Sequence, residues 1–128
     1  MNEQLLIKLS VLRKEAEELE RNVQLIQFEI KEMEDFLESI DFIKKSGFNE
    51  ILAPIGKGVY LKANPIEEKF FVEVGAGVFV KKTREELKEI ALEQIKELKQ
   101  AKIQLLGQLD SHQNRIKEIT QEFSKKKV

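Results

Sequence analysis

The sequence has 128 residues, enough for one domain but not comfortably for two. Its 22 basic and 23 acidic residues leave a formal net charge of −1. This balance argues against a nucleic-acid-binding protein and against polybasic attachment to a membrane, because both need an excess of Lys and Arg. Cysteine is absent, so disulfides, thiolate zinc sites and cysteine nucleophiles are excluded.

The hydrophobic fraction of 41% is too high for simple disorder, so part of the chain must bury apolar surface. The longest apolar runs are only a few residues, far shorter than a membrane-spanning helix needs. The first residues, Met1-Asn2-Glu3-Gln4, lack the basic start of a signal peptide. We therefore expect a soluble protein of the cytoplasm without redox chemistry.

A heptad pattern runs through residues 1–46. Apolar residues follow one another at spacings that alternate between four and three through five repeats, which is typical of a coiled coil. The seam of this first helix consists of Leu5, Leu9, Leu12, Ala16, Leu19, Val23, Ile26, Ile30, Met33, Leu37 and Ile40. Lys44 and Lys45, followed by Gly47, indicate the end of the helix.

Residues 83–125 repeat the pattern less regularly. The segment Thr83-Arg84-Glu85-Glu86 has the form of a capping box, with Thr83 at the N-cap and Glu86 reaching back to it. In the same register the seam consists of Ala91, Ile95, Leu98, Lys102, Leu105, Leu109, His112, Ile116, Ile119 and Phe123. All of these are apolar except Lys102 and His112, so a second coiled-coil helix is predicted.

Residues 48–82 have a different composition, with both prolines and short runs rich in β-branched and aromatic residues. The β-rich runs are 51–53, 59–62, 69–74 and 78–80, and the turns between them are 54–58, 64–68 and 75–77. The turn glycines are Gly56, Gly58, Gly75 and Gly77. Four strands joined in this way predict two β-hairpins.

Two helices of matched length joined by a compact insert most simply form an antiparallel pair. The sequence therefore predicts an α+β fold, a long antiparallel coiled-coil hairpin with two β-hairpins at the helix junction, as a single domain over 1–128. In this pairing, residues whose numbers sum to about 128 lie opposite one another. His112 is then expected opposite Ala16, a bulky seam residue against a small one.

Nothing in the sequence indicates an active site. His112 cannot form a histidine metal cluster alone, and Asp110 offers only one plausible second ligand, so we interpret His112 as a seam residue. The segment 75–77 lacks the third glycine of a dinucleotide fingerprint, and 56–58 lacks the flanking glycine and the Ser or Thr of a P-loop. We expect no enzymatic activity, no metal and no cofactor.

The hairpins are the first candidate surface for association. Short strands with open edges invite pairing with another chain. Alternation predicts Phe70, Val72 and Val74 on one side of a strand, with Phe71 and Glu73 on the other. The residues expected to carry oligomerisation are Val59, Tyr60, Leu61, Phe70, Val72, Val74, Val78 and Val80.

The free ends of the two helices are the second candidate surface, because an antiparallel pairing brings them together at one tip. The apolar residues there are Leu5, Leu6, Ile7, Leu9, Ile116, Ile119 and Phe123. They either close the end of the coil or remain open to a partner. Leu6 and Ile7 lie off the seam, which favours the second interpretation for these two residues.

The order helix, two β-hairpins, helix resembles an alpha-class subunit of the prefoldin family, and the single-hairpin beta class fits less well. The resemblance rests on residues 53–63, with Pro54-Ile55-Gly56-Lys57-Gly58-Val59-Tyr60 at their centre, and on 72–80, with Val74-Gly75-Ala76-Gly77-Val78-Phe79, running into the capping box. It covers essentially the whole chain. Leu87 stands where the family often has a small residue.

The resemblance implies an ATP-independent holding chaperone. Its hairpins would form a β-barrel platform on oligomerisation, and its coil tips would hold unfolded polypeptide clients for a group II chaperonin. It leaves two assemblies open: a hexamer with beta-class subunits, or the homo-oligomeric filament of a divergent gamma prefoldin branch. A structural coiled-coil scaffold is the alternative function.

Overall fold

A computed structural model describes residues 2–46 and 50–126, with side chains over 3–43 and 50–125. The elements are α1 (Asn2–Ser46), β1 (Ile51–Gly56), β2 (Val59–Ala63), β3 (Phe70–Gly75), β4 (Val78–Lys82) and α2 (Arg84–Lys126). This order confirms the expected fold class, a coiled-coil hairpin with two β-hairpins between its helices. The predicted cap at Gly47 lies outside the described residues. Among the described helices, none is apolar over a length sufficient to cross a membrane.

The heptad seam of α1 is confirmed by burial. Every predicted seam residue from Leu5 to Ile40 is buried or half-buried, whereas the residues between them are exposed. The predicted seam residues of α2 are likewise buried or half-buried, including Lys102 and His112, and of the residues between them only Ala101 is also half-buried. A long side chain such as Lys102 can bury its methylene stem at a seam while its charge reaches water.

The chain forms two compact units, Met1–Lys31 with Lys96–Val128, and Glu32–Ile95. Each has its own small apolar core. The core of the first unit consists of Ala16, Val23, Ile30 and Ile119. The core of the second consists of Ile40, Leu87, Ala91 and Ile95, and an ion pair from Lys88 to Asp41 at 3.7 Å lies in the same unit.

The four strands form two separate two-stranded antiparallel sheets, β1 with β2 and β3 with β4. The hairpins repeat one another: Pro54 pairs with Tyr60 and Gly56 with Val59, just as Glu73 pairs with Phe79 and Gly75 with Val78. Each hairpin has a register shift immediately before its turn. Ile55 and Val74 are therefore left without a partner in the ladder, as in a β-bulge.

The first turn is tighter than the sequence predicted. We expected Pro54 and Ile55 in the turn, but β1 continues through both to Gly56. A two-residue connection suffices because Lys57 adopts a φ of 52°, as Ala76 does at 50° in the second hairpin. The flanking glycines also have positive φ values, which they adopt without a Cβ clash. Pro54 is tolerated because β1 has a free edge.

The predicted capping box at the start of α2 is confirmed. The backbone N–H of Glu86 donates to Thr83 Oγ1 at 3.1 Å, and the backbone N–H of Thr83 donates to Glu86 Oε1 at 3.2 Å. The hydrogen bonds from the Thr83 backbone and side chain lower the pKa of Glu86. The ionised Glu86 carboxylate therefore contributes stability to the fold above its ordinary pKa of 4.5. That contribution is lost as the pH falls through the lower pKa of the folded state.

Replacing Thr83 with alanine is expected to destabilise the start of α2, because it leaves the Glu86 N–H without its acceptor. The expected cost is about 1 kcal/mol, measured by urea unfolding followed by circular dichroism. Thr120→Ala is the matched control, since Thr120 Oγ1 donates to the Ile116 carbonyl inside the helix at 2.8 Å and such bonds contribute little. Equal losses in the two variants would contradict the cap assignment.

Candidate functional site

Each hairpin has one almost entirely apolar face. Residues that pair directly across a ladder share a face, and the face alternates along each strand. By this register the apolar face consists of Ile51, Ala53, Val59, Leu61 and Ala63 in the first hairpin and Phe70, Val72, Val78, Val80 and Lys82 in the second. Lys82 is its only charged member.

The apolar face is only partly covered. Ala53, Ala63, Phe70 and Val72 are half-buried, whereas Val59, Leu61 and Val78 are more than half exposed. A two-stranded hairpin is marginal in water, and an apolar face left open is typical of a surface that meets a partner. Six of the eight residues expected to carry oligomerisation lie on this face. Tyr60 lies on the opposite face, and Val74 has no partner in the ladder that would assign it to a face.

The predicted alternation stops at Val74. Phe70 and Val72 are half-buried and Phe71 and Glu73 are exposed, as expected, but Val74 is 62% exposed. The physical reason is the register shift between Glu73 and Gly75, which takes Val74 out of the ladder. Val74 therefore has no ladder partner that would assign it to either face, and its place beside Phe70 and Val72 stays a prediction.

The opposite face of the hairpins, the mixed face, carries charge among its apolar residues. It consists of Leu52, Pro54, Tyr60 and Lys62, and of Phe71, Glu73, Phe79 and Lys81. Lys81 Nζ lies 2.9 Å from Glu67 Oε1 and 5.5 Å from the centre of the Phe71 ring. The hydrogen bond from Lys81 lowers the pKa of Glu67. All eight residues are exposed, so this face suits contact with water better than the apolar face does.

The residues predicted at the coil tip divide into two groups. Leu6 and Ile7 are 51% and 64% exposed. Ile119 is 1% exposed and therefore belongs to the core of the first unit. Leu5, Leu9, Ile116 and Phe123 are half-buried. The open apolar surface at this end therefore comes mainly from Leu6 and Ile7.

Further exposed apolar residues lie along the helices and were missed by the sequence reasoning. In the first unit they include Leu25 and Phe28 on α1, and Ile103 and Leu106 on α2. Each pair is spaced by three residues, so its members are neighbours on one helix. The available signal was their position off the heptad seam, the same signal that singled out Leu6 and Ile7.

His112 lies in the first unit and makes two close polar contacts. Its Nε2 lies 2.7 Å from Glu15 Oε2, and its Nδ1 lies 2.9 Å from the backbone carbonyl oxygen of Gln108. The side chain is 25% exposed. The sequence predicted His112 opposite Ala16. The predicted register between the two helices is therefore right to within one residue, but the contact is with the carboxylate of the neighbouring Glu15. No cluster of metal-binding side chains surrounds it in the part of the chain that the structure describes.

Comparisons with known proteins agree with this architecture. The Prefoldin subunit family model matches residues 12–128. Prefoldin subunit alpha of Thermofilum pendens is 34% identical over 91% of this chain and 92% of its own length. Prefoldin subunit alpha of Methanococcus vannielii is 30% identical over 98% of this chain and 88% of its own length.

The fold is also found among solved structures. A chain in the cryo-EM structure of filamentous PFD from Methanocaldococcus jannaschii superimposes with a TM-score of 0.73 at 18% identity. The match covers 95% of this chain and 99% of the other. Helix order, the two hairpins and the sequence similarity lead to one conclusion. The chain belongs to the prefoldin family of chaperones, as its resemblance to the alpha class predicted.

Proposed function

We propose that this chain is a subunit of an ATP-independent holding chaperone of the cytoplasm. It captures non-native polypeptides at the free ends of its coil and passes them to a group II chaperonin. The observation that carries the proposal is the exposure of Leu6 and Ile7 near the free end of α1. Both are large apolar side chains that lie off the covered seam. An unfolded polypeptide offers apolar segments that match such a surface.

Assembly through the hairpins is the second part of the proposal. The open apolar face would be buried against hairpins of other subunits, forming the β-barrel platform. One chain carries two hairpins with the same register, the same bulge and the same turn, so it presents two apolar faces on the same backbone geometry. Two such surfaces on one chain allow head-to-tail contacts that need not close, which favours self-assembly into a filament over an obligatory beta-class partner.

Truncation tests the holding function. Removing residues 1–9 and 117–128 is expected to abolish protection of a chemically denatured client against aggregation, followed by light scattering. The number of subunits in the assembly should stay the same, because the hairpins are retained. Undiminished protection by the truncated protein would contradict holding at the coil ends.

A structural coiled-coil scaffold is the competing function, and the same assay separates the two. A scaffold of full length would assemble but give no protection of a denatured client at any ratio of subunit to client. Size exclusion with light scattering on the purified chain decides the assembly. Long, concentration-dependent polymers support self-assembly, whereas a monomer that forms a closed oligomer only with a beta-class subunit contradicts it.

A further inference from the structure

We propose that Glu15 and His112 form a proton-dependent clamp between α1 and α2, closed when the imidazole is charged and loosened when it is neutral. The clamp lies in the unit formed by Met1–Lys31 and Lys96–Val128. It is a property of the coil itself, so it does not depend on the holding function proposed above.

The contacts of the ring define the charged state. Both ring nitrogens face oxygen atoms that only accept hydrogen bonds, the Glu15 carboxylate at 2.7 Å and the Gln108 carbonyl at 2.9 Å. A neutral imidazole has one N–H and can satisfy only one of these acceptors. The imidazolium ion donates to both. Its contact with Glu15 is then charge-assisted and joins the two helices.

The charges around the ring favour the same state. From α1, Glu15 and Glu18 line the hollow beside His112, and the other α1 residues there, Leu19 and Asn22, are uncharged. On α2, Arg115 is engaged with Glu118 at 3.2 Å, and Asp110 accepts from Asn114 at 3.5 Å. On the α1 side, the ring therefore contacts the Glu15 carboxylate and has that of Glu18 beside the same hollow. The cation of Arg115, three residues along α2, is paired with Glu118.

The direction of the pH response follows from these contacts. The hydrogen bond with Glu15, followed by that with Gln108, raises the pKa of His112 above its ordinary value of 6.5. Because the pKa of His112 is higher in the folded chain, the stability that its charged ring contributes is complete below pH 6.5. That contribution is lost as the pH rises through the pKa of the folded state. The coil is therefore held more firmly in mildly acidic solution than in alkaline solution.

The sequence makes the first test direct, because His112 is the only histidine. Its ring protons are followed by NMR between pH 4.5 and 9, using the intact chain under conditions that keep it soluble. The wild-type pKa is expected above 6.5, and Glu15→Gln is expected to lower it. Glu20→Gln is the matched control, since it removes the same charge five residues along α1 without touching the ring. A wild-type pKa at or below 6.5, or equal shifts in the two variants, would overturn the clamp.

Hydrogen exchange tests whether the pair acts on the coil. After correction for intrinsic rates, peptides around residues 10–20 and 105–118 of the assembled protein are expected to exchange more slowly at pH 5.5 than at pH 8.5. The difference should disappear in Glu15→Gln and in His112→Leu, which places an apolar residue at the seam and keeps it closed at both pH values. A pH difference that persists in His112→Leu would show that another group is responsible and would overturn the proposal.

Discussion

Lysine at both Leu61 and Val80 is expected to break the assembly while leaving the helices intact. The two residues are equivalent in the two hairpins and lie on the apolar face, where they pair with Ala53 and Val72. A charge enclosed in an apolar interface costs several kcal/mol after relaxation. At about 1.4 kcal/mol for each factor of ten, the association constant should fall by at least about a thousandfold.

The mixed face provides the control for this double variant. Tyr60 and Phe79 are also equivalent in the two hairpins, are 59% and 57% exposed, and point to the opposite side. Lysine at these two positions introduces the same charge on the same strands. We expect light scattering to show the assembled mass for this control and a monomer for the Leu61 and Val80 variant. The reverse result would assign assembly to the mixed face.

Much of the helical part could be predicted from the sequence because a heptad is a local signal. Alternating spacings of four and three identified seam positions that are all covered in the structure, and the Thr83 capping box requires only four consecutive residues. Along α2, burial begins before the first predicted seam residue, Ala91, because Leu87 is only 8% exposed. The heptad alone could not show this, because that burial depends on what packs beside the start of α2.

The hairpins and the histidine show where local patterns fail. The bulge at Val74 depends on a turn geometry in which Ala76 takes a positive φ, and alternation along a strand cannot anticipate it. The partner of His112 depends on the register between two helices that are distant in sequence. Counting from the ends of the chain predicted Ala16 as the partner. The Ala16 side chain is too short for a polar contact with the ring, and the longer Glu15 side chain makes that contact instead.

Lysine at both Leu6 and Ile7 is expected to remove most of the client protection without changing the assembled mass. These residues are exposed and off the seam, so the substitutions should leave the coil intact. Completely burying an apolar side chain of this size stabilises a contact by about 1.5–3 kcal/mol, and the charge opposes binding of an apolar segment. Losing two such contacts should raise the concentration needed for half-protection by about tenfold or more.

Leu25 and Phe28 provide a control in the middle of the same helix, because they are 61% and 62% exposed and also lie off the predicted seam. Lysine at these two positions makes the same change in charge and hydrophobicity away from the helix end. If clients are held at the ends of the coil, this variant keeps most of its protection while the Leu6 and Ile7 variant loses it. Equal loss in both would mean that clients bind along the length of α1, and loss only in the mid-helix variant would assign client binding to Leu25 and Phe28.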